Sequence, residues 1–305
     1  MNEHARLLLI TGGSGFIGQH CAREALRRGF SVVIVDLKPG QLRAPNLRYI
    51  QCDARDSSAF ASELKTADAI IHLAATVNVK QCETELEVSY ANNVMTTIAL
   101  RSAIRSSTKK QRFVFASSAA VYGDLGHAQA SEDSPTSPLS NYGLQKLFSE
   151  RFLFQNEHPQ LSTIVLRFFN VFGPGMDRTS PYSGVIEIFM RACEENRPLT
   201  IRGSGEQTRD FVYVGDVARA VVDAATSDSP GGVFNVASGR AMTVNELADM
   251  IESIYGRPFF RRNEEFGGFE IMHSRGDSRK IQTVLGWQSE ANFGASLRIT
   301  RETRS

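Results

Sequence analysis

Near the start of the chain an apolar run leads straight into a cluster of glycines. Leu7-Leu8-Leu9-Ile10 is followed by Thr11-Gly12-Gly13-Ser14-Gly15-Phe16-Ile17-Gly18, and Gly15–Arg28 then carries helical periodicity. Gly13, Gly15 and Gly18 fit GxGxxG, while Gly12, Gly15 and Gly18 fit the related GxxGxxG. Glycine permits the tight strand-to-helix turn and lets the backbone approach a pyrophosphate. The helix start then offers the anion unpaired N–H groups and a partial positive charge. A second β-rich run, Ser31–Asp36, ends on an acid eighteen residues past Gly18. A carboxylate there accepts both ribose hydroxyls of adenosine and repels a 2′-phosphate. The pattern therefore predicts NAD rather than NADP, with Lys38 close by as a counterweight.

The alternation continues through the first half. Arg6–Ile10, Arg48–Cys52, Ala69–Leu73, Arg112–Ser117 and Ser162–Phe168 read as strands, most of them near-continuously apolar, and Glu85–Ser106 as a long helix. Repeated β-α-β units with such strands predict an α/β chain built on a doubly wound parallel sheet. Past Gly173 the texture changes: Gly173-Pro174-Gly175 and Ser180-Pro181-Tyr182-Ser183-Gly184 are breaker clusters, and the later elements are shorter and more mixed. Thr243–Tyr255 reads as a helix opened by a capping box between Thr243 and Glu246. The expected division is a nucleotide-binding domain over 1–172 plus about 211–240, and a smaller mixed α/β substrate lobe over 173–210 and 241–305.

A net charge of +1 supplies no global field for nucleic acid or an anionic membrane, so any anion must be captured locally. The four cysteines (Cys21, Cys52, Cys82, Cys193) are scattered without a CxxC pair and read as reduced thiols, with no metal site expected. The run Leu7–Ile10 is too brief for a signal peptide or membrane span, and a cytoplasmic protein is expected. Arg298, Arg301 and Arg304 read as a solvated edge.

Tyr142 and Lys146 stand four apart on an expected helix and so share a face. They lie downstream of Ser117-Ser118-Ala119-Ala120-Val121-Tyr122-Gly123, at the end of an expected strand, where ligands bind in such sheets. A phenol near pKa ~10 is a poor base at neutral pH, but a neighbouring ammonium favours the phenolate. Tyr142 can then exchange a proton with a substrate hydroxyl while hydride moves to or from nicotinamide, and Ser118 can hydrogen-bond the same oxygen. Without that chemistry, Tyr142 would be half-buried packing and Lys146 a surface charge.

Taken together these residues resemble the extended short-chain dehydrogenase/reductases, and most closely their UDP-glucose and UDP-N-acetylglucosamine 4-epimerases. The likeness spans nearly the whole chain. It includes the glycine turn, Asp36, Asp53 within Cys52–Asp56, His72-Leu73-Ala74-Ala75, Asn93, Ser117-Ser118, Tyr142 with Lys146, Arg167–Pro174, Gly203–Asp210 and Leu285-Gly286-Trp287. The resemblance implies a Rossmann fold that holds NAD through Gly12, Gly15, Phe16, Ile17, Gly18 and Asp36. Asp53 and Ala54 would lie at the adenine, and Leu73, Ala74, Ala75, Asn93, Tyr142 and Lys146 along the rest of the cofactor. Asn170 and Arg209 would reach the diphosphate of a UDP-linked sugar. It also implies a homodimer formed through Glu85–Ser106 and Asn141–His158, although the stripe of Leu147, Phe148, Phe152 and Leu153 could equally serve the chain's own core.

Several chemistries share this scaffold. Relatives that dehydrate the sugar carry an acid/base pair where this chain has Ala119 and Ala120, which cannot transfer protons. For reactions of uronic acids, no basic side chain can be singled out to face a C6 carboxylate. A 4-epimerase and a 4-keto reductase both use Ser118, Tyr142 and Lys146, and Asp36, which disfavours NADPH, tips the choice to the epimerase. A protein using NAD structurally or as a redox sensor is the non-enzymatic alternative. Gly267 falls where the family has a second diphosphate-binding arginine and Glu270 where it has Asp; Arg261, Arg262 and Arg275 are the candidates to compensate. Ser274 falls at the residue that limits the size of the hexose pocket, and a small side chain there leaves room for an N-acetyl group.

Overall fold

The computed structural model describes residues 6–105, 107–156, 158–178, 184–265 and 271–304. Its strands in chain order are β1 (Leu7–Thr11), β2 (Ser31–Asp36), β3 (Leu47–Gln51), β4 (Ala69–His72), β5 (Gln111–Ser118), β6 (Leu161–Phe168), β7 (Asn170–Phe172), β8 (Leu199–Arg202), β9 (Thr208–Tyr213), β10 (Gly232–Val236), β11 (Ala241–Thr243) and β12 (Arg261–Glu264). Seven of them form one sheet in the order β10-β6-β5-β4-β1-β2-β3, with every neighbouring pair parallel. The chain moves outward one way through β2 and β3, then returns to β4 and moves the other way. The strand order thus reverses between β1 and β4, and the crevice above the carboxyl ends at such a reversal is where ligands bind.

Side chains alternate to the two faces of this sheet, as the period of two requires. Leu8, Ile10, Ile34, Ile71 and Val114 face one layer with Cys21, Ala22 and Ala25 of the helix Phe16–Arg27 and Val217, Ala220 and Val221 of the helix Val214–Thr226. Leu9, Val33, Ile70, Phe113 and Phe115 face the other, with Leu100 and Leu153 from the helices Thr96–Ala103 and Asn141–Gln155. The central strands are buried on both sides, which is why their sequences lack polar alternation.

A second core lies among β7, β8, β9 and the helices Val185–Glu194, Val244–Tyr255 and Phe293–Glu302. It is centred on Phe172, Phe189, Phe211 and Leu247. The strands form a three-stranded sheet, β11-β9-β7, and a two-stranded one, β12-β8. The helix Val244–Tyr255 opens with the capping box read from the sequence: Thr243 Oγ1 accepts from Glu246 N at 3.0 Å and Glu246 Oε2 accepts from Thr243 N at 2.7 Å.

Four features depart from the sequence reading. The run Glu85–Ser106 is helical without a break over Leu86–Ala103, but carries a π-helical turn at Ala91–Met95 that the sequence did not show. The wide turn lets Asn93 bond Thr76 in the next layer, and such turns recur at functional sites. Second, Ile281 and Trp287 pack in the larger core, the indole N–H donating to the Asp216 carbonyl at 2.9 Å, so the C-terminal region is shared between the two cores. Third, β7, within the expected first domain, pairs with β9 in the smaller sheet. Fourth, Arg304 is no solvated edge: its guanidinium is buried and pairs with Glu187 and, at 2.6 Å, with Glu194.

Candidate active site

The glycine turn sits at the carboxyl end of β1. Gly12 has φ +73°, and a Cβ there would come within 2.6 Å of Ala74 N; one on Gly18 would collide with the Gly12 carbonyl. Any side chain at these positions would close the cradle. The helix Phe16–Arg27 starts from Gly15 with no side-chain cap and no acid in its first turn, so its N–H groups are left for an anion. Asp36 closes β2 beside the turn, its carboxylate accepting from Ser14 N at 3.0 Å and Lys38 N at 2.9 Å. These donors fix the acid at the rim, where a ribose would meet it.

A cleft of about 440 Å³ runs from this point across the sheet. Gly12, Gly15, Phe16, Ile17, Gly18, Asp36, Asp53, Ala54, Leu73, Ala74, Ala75, Tyr142 and Lys146 all line it. Asp53 pairs with Arg55 at 2.5 Å, which holds its carboxyl below the usual range. Asn93 alone of the expected cofactor residues stays behind the wall. It is buried, accepts from Thr76 N at 2.6 Å, and donates to Thr76 O at 2.9 Å and Gln145 Oε1 at 2.6 Å. Thr76 is the residue that reaches the cleft in its place, one that sequence reasoning missed.

Across the cleft, Ser140 caps the helix Asn141–Gln155, accepting from Gly143 N at 3.2 Å. Gly143 lets the helix approach β5: a Cβ there would sit 2.7 Å from the Ala120 carbonyl. This close approach brings Tyr142 near Ser118, whose hydroxyl favours the phenolate. Ser118 Oγ also accepts from Ala120 N at 3.1 Å. Lys146 Nζ donates to the Ala116 carbonyl at 2.7 Å and lies 5.7 Å from the centre of the Tyr142 ring. Burial pushes the ammonium down to about 8. Burial also pushes the Tyr142 phenol up to about 12, against the lowering effect of Ser118. The shift is opposite to the lowering expected from Lys146: burial of the phenol dominates, and the ammonium is aimed at the Ala116 carbonyl.

Below this set lies an ion pair that the sequence did not disclose. Arg167 on β6 donates to Glu150 at 3.0 and 2.7 Å, both side chains nearly fully buried, and Ser117 Oγ donates to the same carboxylate. The arginine also stacks over Tyr122, 4.8 Å from the ring centre. Glu150 is one helical turn beyond Lys146, so the pair ties the catalytic helix to β5 and β6.

Two further cavities adjoin the cleft. One of about 540 Å³ is lined by Ser118, Ala119, Ala120, Asn170, Arg209 and Ser274, and shares Phe168 with the cofactor cleft. The other, of about 640 Å³, lies in the smaller lobe and shares Asn170, Arg202 and Arg209 with the first. The structure therefore brings together all four residues expected at the substrate. Asn170 Nδ2 donates to the Asp210 carbonyl at 3.1 Å, and Arg209 donates to the Thr208 carbonyl at 2.9 Å. Asp210 directs its carboxylate elsewhere, to Ser238, Gly239 N and Gly276 N, and burial raises it to about 6. Gly267 and Glu270 lie outside the described residues. Arg261 is held by Glu252 and Asp249, and Arg262 pairs with Glu264, whereas Arg275 lines the 540 Å³ cavity. Arg202, on β8, was not singled out from the sequence; only its cavity position reveals it.

A glycine-cradled dinucleotide cleft meeting a Ser–Tyr–Lys set beside a substrate cavity defines a nucleotide-dependent oxidoreductase-type site. Residues 8–237 match the NAD dependent epimerase/dehydratase family, and the chain belongs to it. NAD is accordingly the cofactor of the cleft. The chain is 31% identical to the UDP-glucose 4-epimerase of Mycolicibacterium smegmatis, over 96% of this chain and 97% of that one. It is 32% identical to the UDP-N-acetyl-alpha-D-glucosaminuronate decarboxylase of Bacillus cytotoxicus, over 96% and 95%. Among solved structures, it superposes with a TM-score of 0.92 on the UDP-N-acetylglucosamine 4-epimerase from Methanobrevibacter ruminantium M1, in complex with UDP-N-acetylmuramic acid. That match has 33% identity and covers 98% of each chain. Among the described residues, no helix is long and apolar enough to cross a membrane.

Proposed function

We propose that this protein inverts C4 of a UDP-linked hexose or N-acetylhexosamine by way of a 4-keto sugar. The observation that carries this reading is the position of Ser118 and Tyr142. Tyr142 lines the NAD cleft, Ser118 lines the sugar cavity, and the Ser118 hydroxyl is near enough to favour the Tyr142 phenolate. Bound NAD would supply reversible hydride acceptance for C4. Tyr142 accepts the proton of the C4 hydroxyl and later returns it, while Ser118 holds the same oxygen. Lys146 keeps a positive charge beneath the phenol. Asn170 and Arg209 hold the diphosphate, a role suited to the fixed donors of a guanidinium, so the sugar stays tethered while its ring turns over. Ala119 and Ala120 present only methyl groups to the cavity, which leaves no side chain there to drive dehydration.

The relatives named as 4-epimerases support the reaction class, and Asp36 weighs against the NADPH-dependent 4-keto reductase. Leu86, Val88, Met95, Leu144 and Phe148 are exposed apolar residues on the helices expected to pair, and we place a homodimer contact there. The four unpaired cysteines fit a cytoplasmic protein.

Incubation with UDP-N-acetylglucosamine and with UDP-glucose, without added reductant, gives the C4 epimer by NMR. No epimer, but NAD(P)H consumption with a 4-keto-6-deoxy nucleotide sugar, would move the protein to the reductases. Ser274, in the sugar cavity, leaves room at C2. Ser274→Tyr lowers the ratio of N-acetyl to plain sugar turnover by about tenfold or more, the scale of a filled pocket. An unchanged ratio would remove Ser274 from that role.

A further inference from the structure

The sugar cavity is lined by several basic side chains. Among its described lining residues are Arg202, Arg209 and Arg275, and no Asp or Glu. Arg202 and Arg209 also line the cavity of the smaller lobe, so both stand at the junction where a diphosphate would link nucleoside to sugar. Arg275 lines the sugar cavity alone of the two.

The backbone that carries Arg275 is fixed on both sides. Ser274 N donates to the Thr208 carbonyl at 3.2 Å. Ala130 N donates to the Arg275 carbonyl at 2.8 Å, and Asp277 N donates back to Ala130 O at 2.8 Å. Gly276 lies tight against Phe169, where a Cβ would come within 2.7 Å of the ring. The side chain is therefore presented by a framework and not by a loose loop. Among the described residues its guanidinium has no ion pair and no side-chain hydrogen bond. The neighbouring acids are already engaged: Asp277 pairs with Arg279 at 2.5 Å, and Asp210 accepts from Ser238, Gly239 and Gly276. His273 also lines the cavity, stacked on His127 with ring centres 3.9 Å apart, and brings no negative charge.

A guanidinium facing a ligand cavity without a counter-charge is matched to an anion, and its fork fits a carboxylate through two parallel hydrogen bonds. We infer that the cavity prefers a nucleotide-linked hexose bearing a carboxylate over its neutral counterpart, with Arg275 reading the acid. Two arginines then match the diphosphate and the third matches the sugar. This rests on the proposed function in placing a nucleotide sugar across the two cavities. It supplies the basic side chain for an acidic sugar that the sequence did not single out.

The test is calorimetric titration of the NAD-loaded protein with UDP-glucuronic acid and UDP-glucose at one ionic strength. The acid binds at least about tenfold more tightly, the scale of a charge-assisted contact. Arg275→Gln brings the two affinities within about twofold of one another, and Arg275→Lys, which keeps the charge but not the fork, retains part of the preference. Arg275 is exposed, so these variants fold. Equal wild-type affinities, or a preference that survives Arg275→Gln, would overturn the inference and leave the nucleotide-sugar reading standing. Binding of neither compound would overturn both.

Discussion

Replacing Tyr142 with Phe lowers kcat for C4 inversion by about 10²–10⁴-fold, the range for loss of a positioned proton-transfer group. In the proposed mechanism the phenol is the acid/base group, and Phe keeps the ring that lines the cleft while deleting the oxygen. Steady-state turnover by NMR, with circular dichroism to verify the fold, measures the loss. Ser118 remains and still offers a hydroxyl, so a residual rate is expected. A variant with more than a tenth of wild-type kcat would take the proton away from Tyr142. Burial raises the phenol to about 12, so it is protonated at neutral pH. Accepting a proton therefore requires the phenol to be brought down, a change that Ser118 favours. Lys146, held at about 8, retains most of its charge at pH 7 to help with that change.

Arg167→Met destabilises the protein by about 3–5 kcal/mol, because it leaves the buried Glu150 carboxylate without its counter-charge. For a chain of this size the melting temperature falls by roughly 10 °C. Ser117 continues to donate to Glu150, but a hydroxyl cannot replace a bidentate guanidinium. Adding Glu150→Gln removes the stranded charge and recovers part of the loss, a non-additivity that a double-mutant cycle reads directly. If Arg167→Met melts within about 2 °C of wild type, the pair does not hold β6 to the catalytic helix in the way described.

The features legible in the sequence are those set by local chemistry. The glycine turn, Asp36 at a strand end and the Thr243 capping box each need only a few neighbouring residues, and each appears where the pattern puts it. Tyr142 and Lys146 share a helix face for the same reason. What escaped the sequence depends on partners far along the chain. Asn93, in the π-helical turn, bonds Thr76 and Gln145, 17 and 52 residues away, and periodicity carries no trace of such contacts. Arg304 lies at the end of a polar stretch, and only the fold brings it to Glu187 and Glu194. Arg202 is an ordinary surface arginine by composition, and Arg275 stands in the sequence only as one of three cations that could replace a missing diphosphate contact; the convergence of β8 and the 273–277 segment on one cavity sets both apart. The Tyr142 phenol reverses the expected shift because burial raises it, and a sequence gives neither that burial nor the direction of the Lys146 ammonium.

The most direct test uses a UDP-hexose deuterated at C4, incubated with the protein and no external reductant, with product and solvent followed by NMR. Hydride exchange at C4 within a closed site predicts that the epimer keeps its deuterium and that the redox state of the bound cofactor is unchanged at the end. Loss of the label to solvent, or turnover that requires added NADH, would contradict C4 inversion by the Tyr142–Ser118–Lys146 site.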